Sequence, residues 1–356
     1  MTAAVVLGVI ALAQGVFLLL LVLFLAVRRE VDRSRHHAFL SGRQELTTPL
    51  NEWLAGDGAV EPFVAALRSL PVGTTIGLTV NLVRGSIPRE AREALAVALR
   101  AEPWIRRGLD GASSRRWSRR LEAARCLALV GTPDDAPSLS RLLNDRRPAV
   151  AAAAVTALPR VADAALVREV LDRIVTMPIV VRLYLQTTLR ELRELVEPAL
   201  VERLASTAPA SSLARWVELA GALDLPVALD AVGRLAAHEA PTVREAVARA
   251  LRRAPSRRSA DLIAQLLVDA SPRVRAAAAH SLGELASSAA VPLLLGAARD
   301  DAWFVRYRAV LALSQLGEPG RSALRSLSRD GDRYVADMAT LIGGLSDGAL
   351  LDMVEG

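Results

Sequence analysis

The feature that most constrains this chain is an internal repeat of 31 residues. The segments DASPRVRAAAAHSLGEL (from Asp269) and DDAWFVRYRAVLALSQL (from Asp300) align without gaps, placing Val274 and Val305 31 apart. Steps of the same size reach Val243, Ser212, Val181, Val150 and Arg119, and a step of 30 forward reaches Val335. Further columns keep this register. Four residues after the anchor stand Ala123, Ala154, Leu185, Trp216, Val247, Ala278, Ala309 and Ala339. Eight after it stand Leu127, Leu158, Leu189, Ala220, Leu251, Leu282, Leu313 and Gly343. Positions 0, +4 and +8 share one helical face. Eleven before the anchor, Leu139, Val170, Val201, Val232, Ile263, Leu294 and Leu324 mark a second helix per repeat, and Pro148, Pro241 and Pro272 sit where a first helical turn tolerates proline. Each repeat is therefore a helical hairpin with two apolar faces, which only stacking on neighbours can bury.

Composition agrees. Hydrophobic residues make up 52% and aromatics only 4%, so the apolar weight lies in Ala, Leu and Val, suited to close helix packing. That content excludes intrinsic disorder for most of the chain. Cys126 is the single cysteine, which excludes a disulfide scaffold; with only His36, His37, His238 and His280 beside it, no metal site is expected.

The pattern D-x-x-x-x-V-R-x-x-A-x-x-x-L resembles the HEAT repeat in its short bacterial form, over about residues 115–345. The resemblance implies an all-α, HEAT-like α-solenoid of about 7–8 hairpins. It also implies a ladder between repeats, made by a turn Asp and an Arg that opens the second helix. Both are present at Asp269 with Arg275 and at Asp300 with Arg306; Asp alone is kept at Asp145 and Asp330, and Arg alone at Arg120, Arg182 and Arg244. In such arrays the second helices line the concave side. Positions +2, +6 and +9 read as pointing away from the core, so the resemblance places Arg125, Arg249, Arg252, His280 and Tyr307 on a protein-binding surface. As outward residues, Arg249 and Arg252 are expected to be replaceable together without loss of fold.

Ahead of the array, residues 5–27 are apolar except for Gln14, long enough to cross a bilayer core about 30 Å thick. Arg28, Arg29, Arg33 and Arg35 follow at once. The positive-inside rule then predicts a single-pass anchor in the cell membrane, with residues 1–4 outside and the C-terminal domain cytoplasmic. Ala4, Gly8, Ala11 and Gly15 share a face of that helix, leaving open a homodimer through it. The remaining divisions are a basic juxtamembrane segment at 28–44, a helical cap or diverged repeats at 45–105, a loop at 106–116, the array at 117–345 and a C-terminal tail at 346–356.

No phosphate loop, nucleophile elbow or paired catalytic carboxylates occur. All 44 basic residues are arginine. Residues 100–125 hold eight of them against Glu102, Asp110 and Glu122, and residues 244–275 hold eight against Glu245, Asp261 and Asp269, whereas the whole chain is only +6. The expectation is a membrane-tethered scaffold without cofactor, docking a protein partner such as a membrane enzyme complex. Nucleic acid is a disfavoured partner; a HEAT-like enzyme or nucleic-acid-binding module is the alternative.

Overall fold

A computed structural model describes residues 29, 40–57, 59–85 and 87–345. Among them every regular element is a helix. The chain divides into two units, 1–161 and 162–356, so the division falls inside the repeat array.

In the first unit a helix over residues 40–52 precedes a π-helical turn, Trp53–Asp57, and the helices Glu61–Ser69, Val72–Gly85 and Arg89–Arg100. Their buried faces converge on Phe63, Leu67, Leu78, Leu95 and Leu99, and Trp53 stacks on Phe63 with ring centroids 5.6 Å apart. Residues 106–116, read as a loop, instead hold the end of helix Pro103–Leu109 and a 3-10 turn, Asp110–Ser113. Pro103 opens that helix, and Ile105 and Trp104 turn its apolar side inward. The helices Trp117–Val130, Ala136–Leu143 and Pro148–Val155 complete the unit.

The second unit consists of hairpins. Its second helices are Ile179–Glu191, Ala210–Leu223, Pro241–Leu251, Pro272–Glu284, Trp303–Ser314 and Arg333–Gly343. Up to Trp303 their first residues keep the 31-residue step; the last starts one residue early, as the spacing of Val335 requires. The first helices between them include Arg193–Leu204, Pro226–Gly233, Arg257–Leu266 and Val291–Ala297. The columns are the core: Val181, Val243, Val274 and Val305 are fully buried, as are Leu185, Val247, Ala278 and Ala309. Two columns slip. Gly343 is exposed while Ile342, one residue earlier, is buried; and Val201 is half-buried while Leu200 is buried, in the helix interrupted by Pro198.

Position +9 corrects the reading that it faces outward. Gly221 and Gly283 hold it in two repeats, and both face the next second helix. A Cβ on Gly283 would lie 2.8 Å from the Ala312 Cα, and one on Gly221 2.7 Å from the Ala250 Cα. Backbone atoms cannot yield to such contacts, so glycine is required for this close approach.

The membrane assignment is also corrected. No helix of the described residues is long and apolar enough to cross a bilayer. Residues 5–27, on which the anchor, its orientation and the homodimer rested, lie outside the described residues, as do Arg28, Arg33 and Arg35. The single-pass membrane location is therefore withdrawn.

Candidate functional site: the second-helix face and its arginine rungs

Rungs run between repeats at a fixed offset. Arg120, Arg244 and Arg275 each bond the aspartate 25 residues on, in the next turn. Arg244 donates through Nε and an Nη to Asp269 at 2.6 and 2.8 Å, and Arg275 donates to Asp300 at the same distances. In the first unit Arg120 forms the same two-pronged pair with Asp145, so three residues read as lacking a counterpart, Arg120, Asp145 and Arg244, all have one. The other Nη reaches back into its own turn: from Arg275 to the Asp269 carbonyl at 2.8 Å, and from Arg306 to the Asp300 carbonyl at 2.8 Å. One arginine thus ties two successive turns.

The aspartates also brace their own turns, just ahead of the following helix. Asp269 accepts from the Ser271 amide and Asp300 from the Ala302 amide, at 2.8 and 2.9 Å. The Arg244 hydrogen bonds outweigh burial and hold the Asp269 carboxyl below its ordinary range. At Asp300 burial pushes upward, but Arg275 and the Ala302 amide prevail and the carboxyl is again lowered. Where the turn holds His238, its Nδ1 accepts from the Ala240 amide at 3.1 Å, so the turn bond survives without the charge. The rung position before it is Leu213, so a charge in that turn would have no arginine. Arg306 ends the series. Position 331 is a glycine, its Nε is buried with no acceptor, and Asp330 is bonded by Arg299 instead. Arg182 keeps only the backbone half of a rung, donating to the Met177 carbonyl at 2.8 Å.

The residues expected on the binding face fall into two groups. Arg125 and Arg249 are exposed, the latter paired with Glu245 at 2.7 Å on its own helix. Arg252 and His280 are not free. Arg252, at +9, reaches the next repeat, where it meets His280 Nε2 at 2.8 Å and the Glu284 carboxylate; His280 lies 3.0 Å from that carboxylate. Burial lowers the Arg252 pKa against the opposing pull of Glu284, and burial together with Arg252, Arg308 and Arg249 lowers that of His280. The expectation that Arg252 is a replaceable surface residue is therefore corrected: it bridges two helices. Tyr307 is half-buried, with the Arg308 guanidinium 5.9 Å from its ring centre. Trp216 is buried and donates to the Leu171 carbonyl at 2.8 Å.

Three successive second helices line a shallow, open cavity of about 380 Å³ on this face. Ala276 and Ala277 form its floor, Phe304 one wall, and Arg249, Arg273 and Arg308 its charged rim, with Glu245 and His280 between them. The sequence reading missed Arg273, Phe304 and Arg308, which lie at −1 and +3, positions it did not count as outward. A second cavity, of about 420 Å³ in the first unit, carries balanced charge: Arg107 and Arg119 against Asp110 and Glu122. The Cys126 thiol is pushed up to about 12 by burial and by Glu122, so it is not a nucleophile at neutral pH. No group of histidine, cysteine and carboxylate side chains that could hold a metal occurs among the described residues.

Repeated hairpins, buried columns and arginine rungs define an all-helical repeat array among the described residues. Residues 259–342 match the family described as HEAT repeats. No curated protein matches the chain. Among solved structures it is similar to an engineered protein (17% identity, 90% of this chain and 99% of that one, TM-score 0.34). Human deoxyhypusine hydroxylase bound to glycerol is another (20%, 91% and 98%, TM-score 0.28). A third is YibA of Escherichia coli (14%, 73% and 98%, TM-score 0.33).

Proposed function

We propose that this protein is an interaction scaffold that docks a protein partner on the second-helix face of residues 241–314. The observation that carries the reading is the cavity shared by three successive second helices, whose rim side chains are not consumed by the rungs. Repetition supplies an extended surface on a frame that the columns hold rigid, which suits protein docking. The residues available there favour binding over reaction: arginines, alanines and a phenylalanine, with one histidine whose pKa burial has lowered.

Photo-crosslinking of the full chain tests this. A photoreactive residue at Ala277, on the cavity floor, should capture one defined protein from the native lysate. The same residue at Leu293, exposed on a first helix, should not. Equal capture from both positions, or capture from Leu293 alone, would remove the second-helix face from consideration.

A further inference from the structure

The chemistry of the cavity specifies its occupant more narrowly than a docking surface alone, and this inference rests on the scaffold reading. Arg273 is exposed, and neither it nor Arg308, whose guanidinium lies over the Tyr307 ring, makes an ion pair among the described residues. Arg249 shares its charge with Glu245 at the cavity edge. The one further basic group, His280, sits among Arg252, Arg249 and Arg308, and burial and these charges disfavour its protonation, while Glu284 pulls the other way. The rim is therefore positive, with Glu245 its single carboxylate. Between the arginines lies a shallow apolar seat, made by the Ala276 and Ala277 methyls and the Phe304 ring. A volume of about 380 Å³ admits one large side chain and the backbone on either side of it.

We propose that the cavity binds an acidic peptide segment of a partner protein. One aliphatic or aromatic side chain is seated on Ala276, Ala277 and Phe304, and flanking Asp or Glu carboxylates are held by Arg273 and Arg308. Guanidinium groups bind carboxylates in two-pronged geometry, and the rungs of this same protein show arginines already used so, at 2.6–2.8 Å. An acidic peptide fits better than a nucleic acid. Successive bases need a row of open ring faces, and the cavity lining has two rings: Phe304, in a T-shaped contact with Trp303 at 6.0 Å, and the half-buried His280, already engaged by Arg252 and Glu284.

The test is fluorescence anisotropy with the full chain and three labelled pools of short peptides. Each pool carries a central Leu or Phe, flanked by Asp and Glu, by Ser and Asn, or by Lys. The acidic pool should bind best and weaken as salt rises from about 50 to about 300 mM. Arg273→Glu and Arg308→Glu should each weaken it at least about tenfold, as reversal of a docking charge does. Arg146→Glu, in an exposed turn of the other unit, should change nothing, and circular-dichroism melting checks that each variant is folded. Equal binding of acidic and neutral pools, or indifference to Arg273→Glu and Arg308→Glu, would overturn the acidic-peptide inference. The scaffold reading would survive that result if Ala277→Trp, which fills the seat, abolished binding of the neutral pool. Tighter binding of single-stranded DNA than of the acidic pool, lost in the same arginine variants, would also overturn it. If no pool binds, the inference falls, while crosslinking from Ala277 still judges the scaffold reading separately.

Discussion

Within the second unit, residues 241–314 and residues 179–204 are built on the same repeat yet are held differently. In the first stretch, columns and rungs coincide: Val243, Val274 and Val305 are buried, and Arg244 and Arg275 tie successive turns through Asp269 and Asp300. In the second, Val181, Leu185 and Leu189 are buried equally well, but Arg182 finds only a backbone carbonyl, and position 207, where its aspartate would stand, is Thr207. Helix Arg193–Leu204 carries Pro198 and shifts its buried face by one residue, and Ile179, Val180, Leu183 and Tyr184 are exposed. The difference teaches that the apolar columns set the stacking, while rungs fix the turns and free the outer face for polar chemistry. Burial of a leucine is worth several times a net hydrogen bond, so a repeat tolerates a missing rung far better than a missing column.

Breaking a column should therefore erase the contrast. Leu282→Ala in the runged stretch and Leu189→Ala in the other should each cost about 2–5 kcal/mol by denaturant unfolding. A much smaller loss for Leu189→Ala would mean that the unrunged repeat is not held by its column. Gly283→Val should be as damaging as Leu282→Ala, because its Cβ meets the Ala312 backbone.

Removing a rung should sharpen the contrast. Asp269→Ala takes away two charged hydrogen bonds and the turn bond from the Ser271 amide, and should cost about 1.5–3 kcal/mol. Arg182→Ala loses one bond to a carbonyl and should cost about 0.5–1.5 kcal/mol. The rungs also predict an acid dependence. Because Asp269 and Asp300 have pKa values lowered on folding from an ordinary 3.8, their contribution is complete above that value and is lost as pH falls through the lowered one. Between pH 5 and pH 2, stability should fall less steeply in Asp269→Ala than in the natural protein; parallel curves would show that the rung does not couple to protonation.

The smallest effects distinguish two arginines that the sequence alone groups together. Arg249→Glu, on the exposed rim, should change stability by no more than about 0.5 kcal/mol. Arg252→Glu places a carboxylate against Glu284 and should cost clearly more, by thermal melting of the two single variants. Equal melting temperatures would mean that the bridge from Arg252 to His280 and Glu284 contributes nothing.

Much of this was legible beforehand, for a definite reason. Columns are a one-dimensional property: each repeat buries the same helical face, so spacing alone revealed Val274, Ala278 and Leu282 as core. The rungs were half legible. Arginine and aspartate were recognised as a ladder between repeats, but not which partners meet; an offset of 25 joins Arg120 to Asp145 and Arg244 to Asp269. The cavity was less legible still, since Arg273, Phe304 and Arg308 come from two helices and no spacing rule brings them to one rim.

The sequence by itself determined the helical hairpin, its period and most of its apolar columns, since periodicity dictates which side chains must leave water. Only the tertiary structure decided which face of each second helix is open. Position +9 looks outward on an isolated helix, but the close approach through Gly221 and Gly283 turns it toward the next repeat, burying Arg252 and leaving Arg249, Arg273 and Arg308 to form the rim.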